Sequence, residues 1–116
     1  MKHVGQMDHI AIAVPSIADQ VRRFVSMGLT VQMQGDTYAV VADPISGFKI
    51  ELNQEPGEAR FRHIGFCSDD VDAGHSELVA EGVASTEAPH RREFAHMRTS
   101  FLQDSNGLEY QLVDYD

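Results

Sequence analysis

Two histidines, a glutamate and a glutamine stand at matching points of a repeated pattern, and their donor atoms suit a divalent metal. His9 lies in Asp8-His9-Ile10-Ala11, and Glu51 in Gly47-Phe48-Lys49-Ile50-Glu51-Leu52. The second copy reads Arg62-His63-Ile64-Gly65, then Gly107-Leu108-Glu109-Tyr110-Gln111-Leu112. His9 and Glu51 are 42 residues apart, His63 and Gln111 48. A repeat of this period is a fold-level signal. Turn glycines set the alignment: Gly47 precedes Glu51 by four residues, and Gly107 precedes Gln111 by four. Glu109, the counterpart of Lys49, shares strand parity with Gln111 and is the alternative last ligand. Two imidazoles, a carboxylate and an amide oxygen form a hard-to-borderline set that suits Zn, Ni, Co, Mn or Fe. No compact motif such as His-Glu-x-x-His is present, so the fold must bring these side chains together.

The elements that would position them follow from periodicity. Met7–Val14 alternates, with Asp8, Ile10, Ile12 and Val14 on one face and Met7, His9, Ala11 and Ala13 on the other. If the aliphatic face packs on a helix, His9 points the opposite way, and His63 does so by the same argument. Pro15 ends the strand, Ser16 caps a helix over residues 17–27, and Gly28 stops it. Strands are expected at 30–34, 38–42 and 48–53. In the second half, a strand over 61–67 precedes a helix capped by Ser68-Asp69-Asp70 and stopped by Gly82. Strands then cover 83–86, 96–103 and 108–113, with a polar loop at 90–93. Asp69, Asp70 and Asp72 would complement the dipole of the second helix.

The order is strand, helix and three strands, twice, with residues 54–59 as a linker rich in charge, Pro and Gly. This predicts an α+β fold of two tandem βαβββ modules, about 6–54 and 60–114, forming a cupped, barrel-like mixed sheet with helices outside. The 116 residues suit one domain, and 42% hydrophobic content is enough for a core. A formal charge of −9 argues against a nucleic-acid binder. No apolar run approaches the ~18 residues of a membrane span. One cysteine, Cys67, and no secretory apolar stretch at the start point to a reducing, cytoplasmic setting.

On the motifs Asp8-His9-Ile10 through Gly107-Leu108-Glu109-Tyr110-Gln111-Leu112, the whole chain resembles the vicinal oxygen chelate superfamily. That superfamily includes glyoxalase I, methylmalonyl-CoA epimerase, extradiol dioxygenases and bleomycin- or fosfomycin-resistance proteins. The resemblance implies metal ligands on the first and last strands of each module, here His9, Glu51, His63 and Gln111. The ligand pattern is most similar to glyoxalase I and the epimerase. For those it implies proton transfer beside a carbonyl, with the metal as Lewis acid toward two substrate oxygens. Glutamine cannot act as a base, so Glu51 would be both ligand and proton carrier, with Glu109 as the second carrier.

Three functions are therefore expected. The first is a metal-dependent isomerase or lyase acting on a small substrate. The second is an iron-dependent ring-cleaving dioxygenase using His9, His63 and Glu109 or Gln111. The third is a non-catalytic protein that binds a drug or metabolite. Cupped sheets of small modules leave edges that a two-fold partner can cover, so a homodimer is expected. Arg60, Arg62, His90, Arg91, Arg92, His96 and Arg98 gather basic charge in the second half. They suit an anion clamp, or more simply a solvated loop and strand edge. Tyr38, Tyr110 and Phe101 suit a core better than a cavity. Cys67 suits a buried, inert thiol.

Overall fold

The computed structural model describes residues 1–116. Its elements are β1 (Met7–Val14), α1 (Ile17–Ser26), β2 (Thr30–Gln34), β3 (Tyr38–Ala42) and β4 (Lys49–Gln54). There follow β5 (Arg60–Cys67), α2 (Val71–Ala80), β6 (Ala84–Arg92), a 3-10 turn (Glu93–Ala95), β7 (Met97–Gln103) and β8 (Glu109–Tyr115). The fold is α+β, built from two βαβββ modules as the repeat predicts. No helix is long and apolar enough to cross a membrane. The chain divides into two compact units: His9–Arg62, and Met1–Asp8 with His63–Asp116.

In the His9–Arg62 unit the strand order is β2-β3-β4-β1. β1 runs parallel to β4, which pairs antiparallel with β3, and β3 pairs antiparallel with β2. The helix α1 forms because Ser16, extended at φ −142, accepts from Asp19 N at 3.2 Å. It ends where Gly28 adopts φ +104, which a side chain would resist. Its Ile17 and Val21 bury against Val14, Ala39, Val41 and Leu52. Ile12 and Ile50 pack on the same cluster. The aliphatic side of β1 therefore meets the helix, and His9, Ala11 and Ala13 take the opposite face.

In the second unit the order is β5-β8-β7-β6, again with a parallel first pair and antiparallel others. Asp70 caps α2 by accepting from Ala73 N at 3.1 Å. Val71 and Leu78 of that helix pack against Leu102 and Leu112. Of the acidic group before and within this helix, only Asp70 caps. Asp69 binds the His3 ring at 2.8 Å, and Asp72 takes Arg98 at 2.6 and 2.8 Å. Ser68 instead donates to the His3 carbonyl at 2.6 Å.

The expected polar loop at 90–93 is not found. β6 continues to Arg92, with His90, Arg91 and Arg92 opposite Thr99, Arg98 and Met97. Register shifts between Ser85 and Glu87 and between Glu87 and His90 mark bulges, which absorb Pro89 in a strand at the end of the sheet order. Polar sequence misled because such a strand can keep polar side chains in water while its backbone stays paired. The reversal comes later, at Glu93–Ala95, and ends with His96 left-handed at φ 50.

The amino-terminal segment belongs to this unit. Lys2 N and His3 N donate to the Glu77 carboxylate at 2.9 and 2.8 Å. Gly5 N reaches Cys67 O at 2.7 Å, and Cys67 N reaches Gln6 O at 2.9 Å. Gly74 lets this segment lie close, since a Cβ there would sit 2.7 Å from the His3 carbonyl oxygen.

Candidate metal centre

Strand register decides which side chains share a face. In the first unit Ala11 lies opposite Glu51 and His9 opposite Lys49, so His9 and Glu51 share a face one pleat apart. Their side chains meet: His9 Nε2 lies 2.9 Å from Glu51 Oε2. His9 is fully buried, and the Glu51 side chain is 17% exposed. An imidazole nitrogen and a carboxylate oxygen thus face each other in a largely dry place. That is a ligand pair a divalent ion can use.

The second unit repeats the register. Gly65 lies opposite Gln111, as Ala11 lies opposite Glu51. His63 and Gln111 are both buried. Thr99 orients the amide of Gln111. Its hydroxyl donates to Leu112 O at 2.7 Å, so its lone pairs accept from Gln111 Nε2 at 3.0 Å. The nitrogen end of the amide faces Thr99, and Oε1, the end able to ligate a metal, is directed the other way.

His63 has two further neighbours in its own unit. Its ring stands edge-on to Phe101, with centroids 5.4 Å apart and planes at 82°. Its Nδ1 lies 3.8 Å from Glu109 Oε1, on a side chain that is 35% exposed. Glu109 and Phe101 also line an open cleft of about 270 Å³ with Thr86, Glu87 and Arg92. Phe101 is therefore a cavity residue, against the core position expected for it. Its alternation places it opposite Gln111, on the sheet face away from Leu102 and Leu112. Tyr110 takes the other face, packs edge-on against Phe66 and donates to Asp104 at 2.5 Å. That bond holds the Asp104 carboxyl below, and the Tyr110 phenol above, their ordinary ranges.

Most of the basic side chains are occupied elsewhere. Arg60 and Arg62 both bind Glu55. Arg91 binds Glu93 and Asp116, and those carboxylates hold its guanidinium above its ordinary pKa. Arg98 is held by Asp72. Sequence reasoning passed over Thr99, because its bearing on Gln111 appears only in the β7–β8 register.

A family model describing the glyoxalase/bleomycin resistance protein/dioxygenase superfamily matches residues 6–112. The chain is a member of that superfamily. Among solved structures, methylmalonyl-CoA epimerase from Streptomyces coelicolor, in complex with 2-nitronate-propionyl-CoA, superposes with a TM-score of 0.79. It is 21% identical, with 97% of this chain and 98% of that one covered. The epimerase from Mycobacterium tuberculosis gives 0.80 at 21% identity, covering 100% and 91%. A hypothetical protein from Bacillus halodurans gives 0.77 at 21% identity, covering 96% and 94%. At these identities the likeness shows a glyoxalase-superfamily fold. A comparison with curated proteins finds no significant match.

Proposed function

We propose that this glyoxalase-superfamily chain, its two units acting as one domain, is a metal-dependent isomerase or lyase. It moves a proton on a carbon beside a carbonyl, in a small substrate that offers two neighbouring oxygens. In this reading His9, Glu51 and His63 would each give the ion one ligand atom, and Gln111 Oε1 would be the fourth donor. The observation that carries the reading is the pairing of the buried His9 with Glu51, together with the matching register of Gln111 in the second unit. The donor set is all nitrogen and oxygen, which fits Zn, Ni, Co, Mn or Fe.

A divalent ion bound there supplies Lewis acidity toward two substrate oxygens. The protein does the rest. Burial of His9, His63 and Gln111 keeps water from competing at the ligand atoms. Thr99 holds the Gln111 oxygen in position. Glu51 carries the substrate proton on the carboxylate oxygen not given to the ion, and Glu109, partly exposed at the cleft, is the second carrier. An epimerase-like activity on an acyl thioester is the form that the solved neighbours favour. The register favours this over a dioxygenase, because Gln111 and not a carboxylate stands where Glu51 stands.

The test is elemental analysis of the purified protein and of His9→Ala and His63→Ala, combined with proton exchange in deuterated water. One equivalent of metal, lost in both variants, with deuterium entering methylmalonyl-CoA beside its carbonyl, is the expected result. Protein that stays metal-free after reconstitution and exchanges nothing overturns the proposal. It would favour a ligand-binding member of the superfamily.

A further inference from the structure

Arg92 differs from every other arginine that the second half of the chain gathers. Its guanidinium lies over the Phe101 ring, 5.3 Å from the centroid, and it lines the cleft beside Glu109. Its carboxylate contact is a single one, Nη2 to Glu87 Oε2 at 3.2 Å. Its Nε lies 3.4 Å from His90 Nε2. By contrast, Arg98 grips Asp72 through two bonds, and Arg91 is bound by two carboxylates. Phe101 in turn stands edge-on to His63. One aromatic ring therefore joins the guanidinium to a candidate metal-ligating histidine within the same unit.

We propose that Arg92 is a specificity-determining residue that binds an anionic group of the substrate, exchanging Glu87 for it. The proposal deepens the isomerase reading and rests on it for the identity of the ligand. The substrate class is an acyl compound that carries a carboxylate or phosphate beyond its two chelating oxygens.

Charge accounting makes exchange, not simple addition, the mode of binding. The cleft holds two carboxylates, Glu87 and Glu109, against one guanidinium. An added anion would meet net repulsion while both carboxylates remain. The Glu87 side chain is 45% exposed, so it can turn into water at little cost. The guanidinium fork is then available for a bidentate contact with carboxylate or phosphate oxygens. The cation–π contact with Phe101 keeps the guanidinium over the ring during the exchange.

The experiment measures dissociation constants for malonate, its neutral diamide and inorganic phosphate by titration calorimetry. The proteins are the wild type, Arg92→Ala, Arg92→Lys and Glu87→Gln, each checked by circular dichroism and metal content. Arg92→Ala should weaken anion binding by roughly tenfold to a hundredfold and leave the diamide unchanged. Arg92→Lys should fall between, because it keeps the charge and loses the fork. Glu87→Gln should tighten anion binding about threefold by removing the competing carboxylate. A response to malonate alone marks a substrate carboxylate, and a response to phosphate alone marks a phosphorylated tail. Either supports the anion subsite.

Equal losses for malonate and diamide, or weakened anion binding in Glu87→Gln, overturn the proposal. Failure of the isomerase reading is read separately. Protein without metal or proton exchange that still shows opposite shifts in the two variants refutes that reading and leaves the subsite standing.

Discussion

Gln111 occupies in β8 the register position that Glu51 occupies in β4, each opposite the residue two beyond a buried histidine. The two units thus place unequal side chains at equivalent positions, a carboxylate in one and an oriented amide in the other. Thr99 accounts for the orientation. Its one proton goes to Leu112 O, and that leaves the amide nitrogen as the end it can accept from.

Thr99→Val removes both bonds at a site with no solvent access. It leaves the Leu112 carbonyl and the Gln111 amide nitrogen without these partners. The expected cost is about 1–3 kcal/mol of stability, with weaker metal retention. Urea unfolding and elemental analysis would read the two effects. Unchanged metal content would show that Thr99 does not orient the ligand.

Gln111→Glu tests the same relationship from the other side. A carboxylate oxygen would face the lone pairs of Thr99, so the metal-free protein should lose about 1–3 kcal/mol. Added Zn or Co should then raise the melting temperature more than it does in the wild type, because the new charge favours the cation. A smaller metal-induced shift than in the wild type would argue against Gln111 as a ligand position.

Much of this arrangement is legible in the sequence, for physical reasons. Strand alternation alone puts His9 opposite Ile10, Ile12 and Val14, and turn glycines alone align Gln111 with Glu51. Both depend on local geometry that short segments carry with them. The continuation of β6 through His90-Arg91-Arg92 is not legible, because its pairing comes from β7 and bulges break its alternation. Phe101 and Arg92 were ambiguous for a related reason. An aromatic or a charge on a strand reads the same whether its face meets a core, a cleft or water.

Two histidines should bend the pH dependence of stability in opposite senses. His75, buried between Ser100 and Ser85 hydroxyls at 2.8 Å each, has its pKa lowered below 6.5 by burial, with Asp72 acting the other way. The unfolded chain therefore binds the proton more readily, and stability falls as pH drops through 6.5. His3 has its pKa raised above 6.5 by its bond to Asp69. Its contribution is complete below 6.5 and is lost as pH rises through the higher folded value. In urea midpoints from pH 5 to 8, His75→Gln should flatten the acid side and His3→Gln the alkaline side. The same flattening in both variants would contradict these assignments.

Gly74→Ala should release the amino-terminal segment. The new Cβ would lie 2.7 Å from the His3 carbonyl oxygen and 3.2 Å from Leu112 Cδ1, so backbone must move. The expected destabilisation is about 1–3 kcal/mol. Hydrogen exchange should show lost protection at Gly5 and Cys67, whose amides bond across this segment. Protection equal to wild type would mean that α2 moves and the segment stays.

The placement of Met1–Asp8 with His63–Asp116 has a consequence for how the polypeptide folds during synthesis. Residues 1–8 are made before His9–Arg62 yet belong to the unit completed after it. The continuous unit can close on itself as it is made, whereas the discontinuous one must bring residues 1–8 back across all of His9–Arg62. Loop closure of that kind slows folding. The discontinuous unit should therefore be the later to form, paced by the return of its earlier segment.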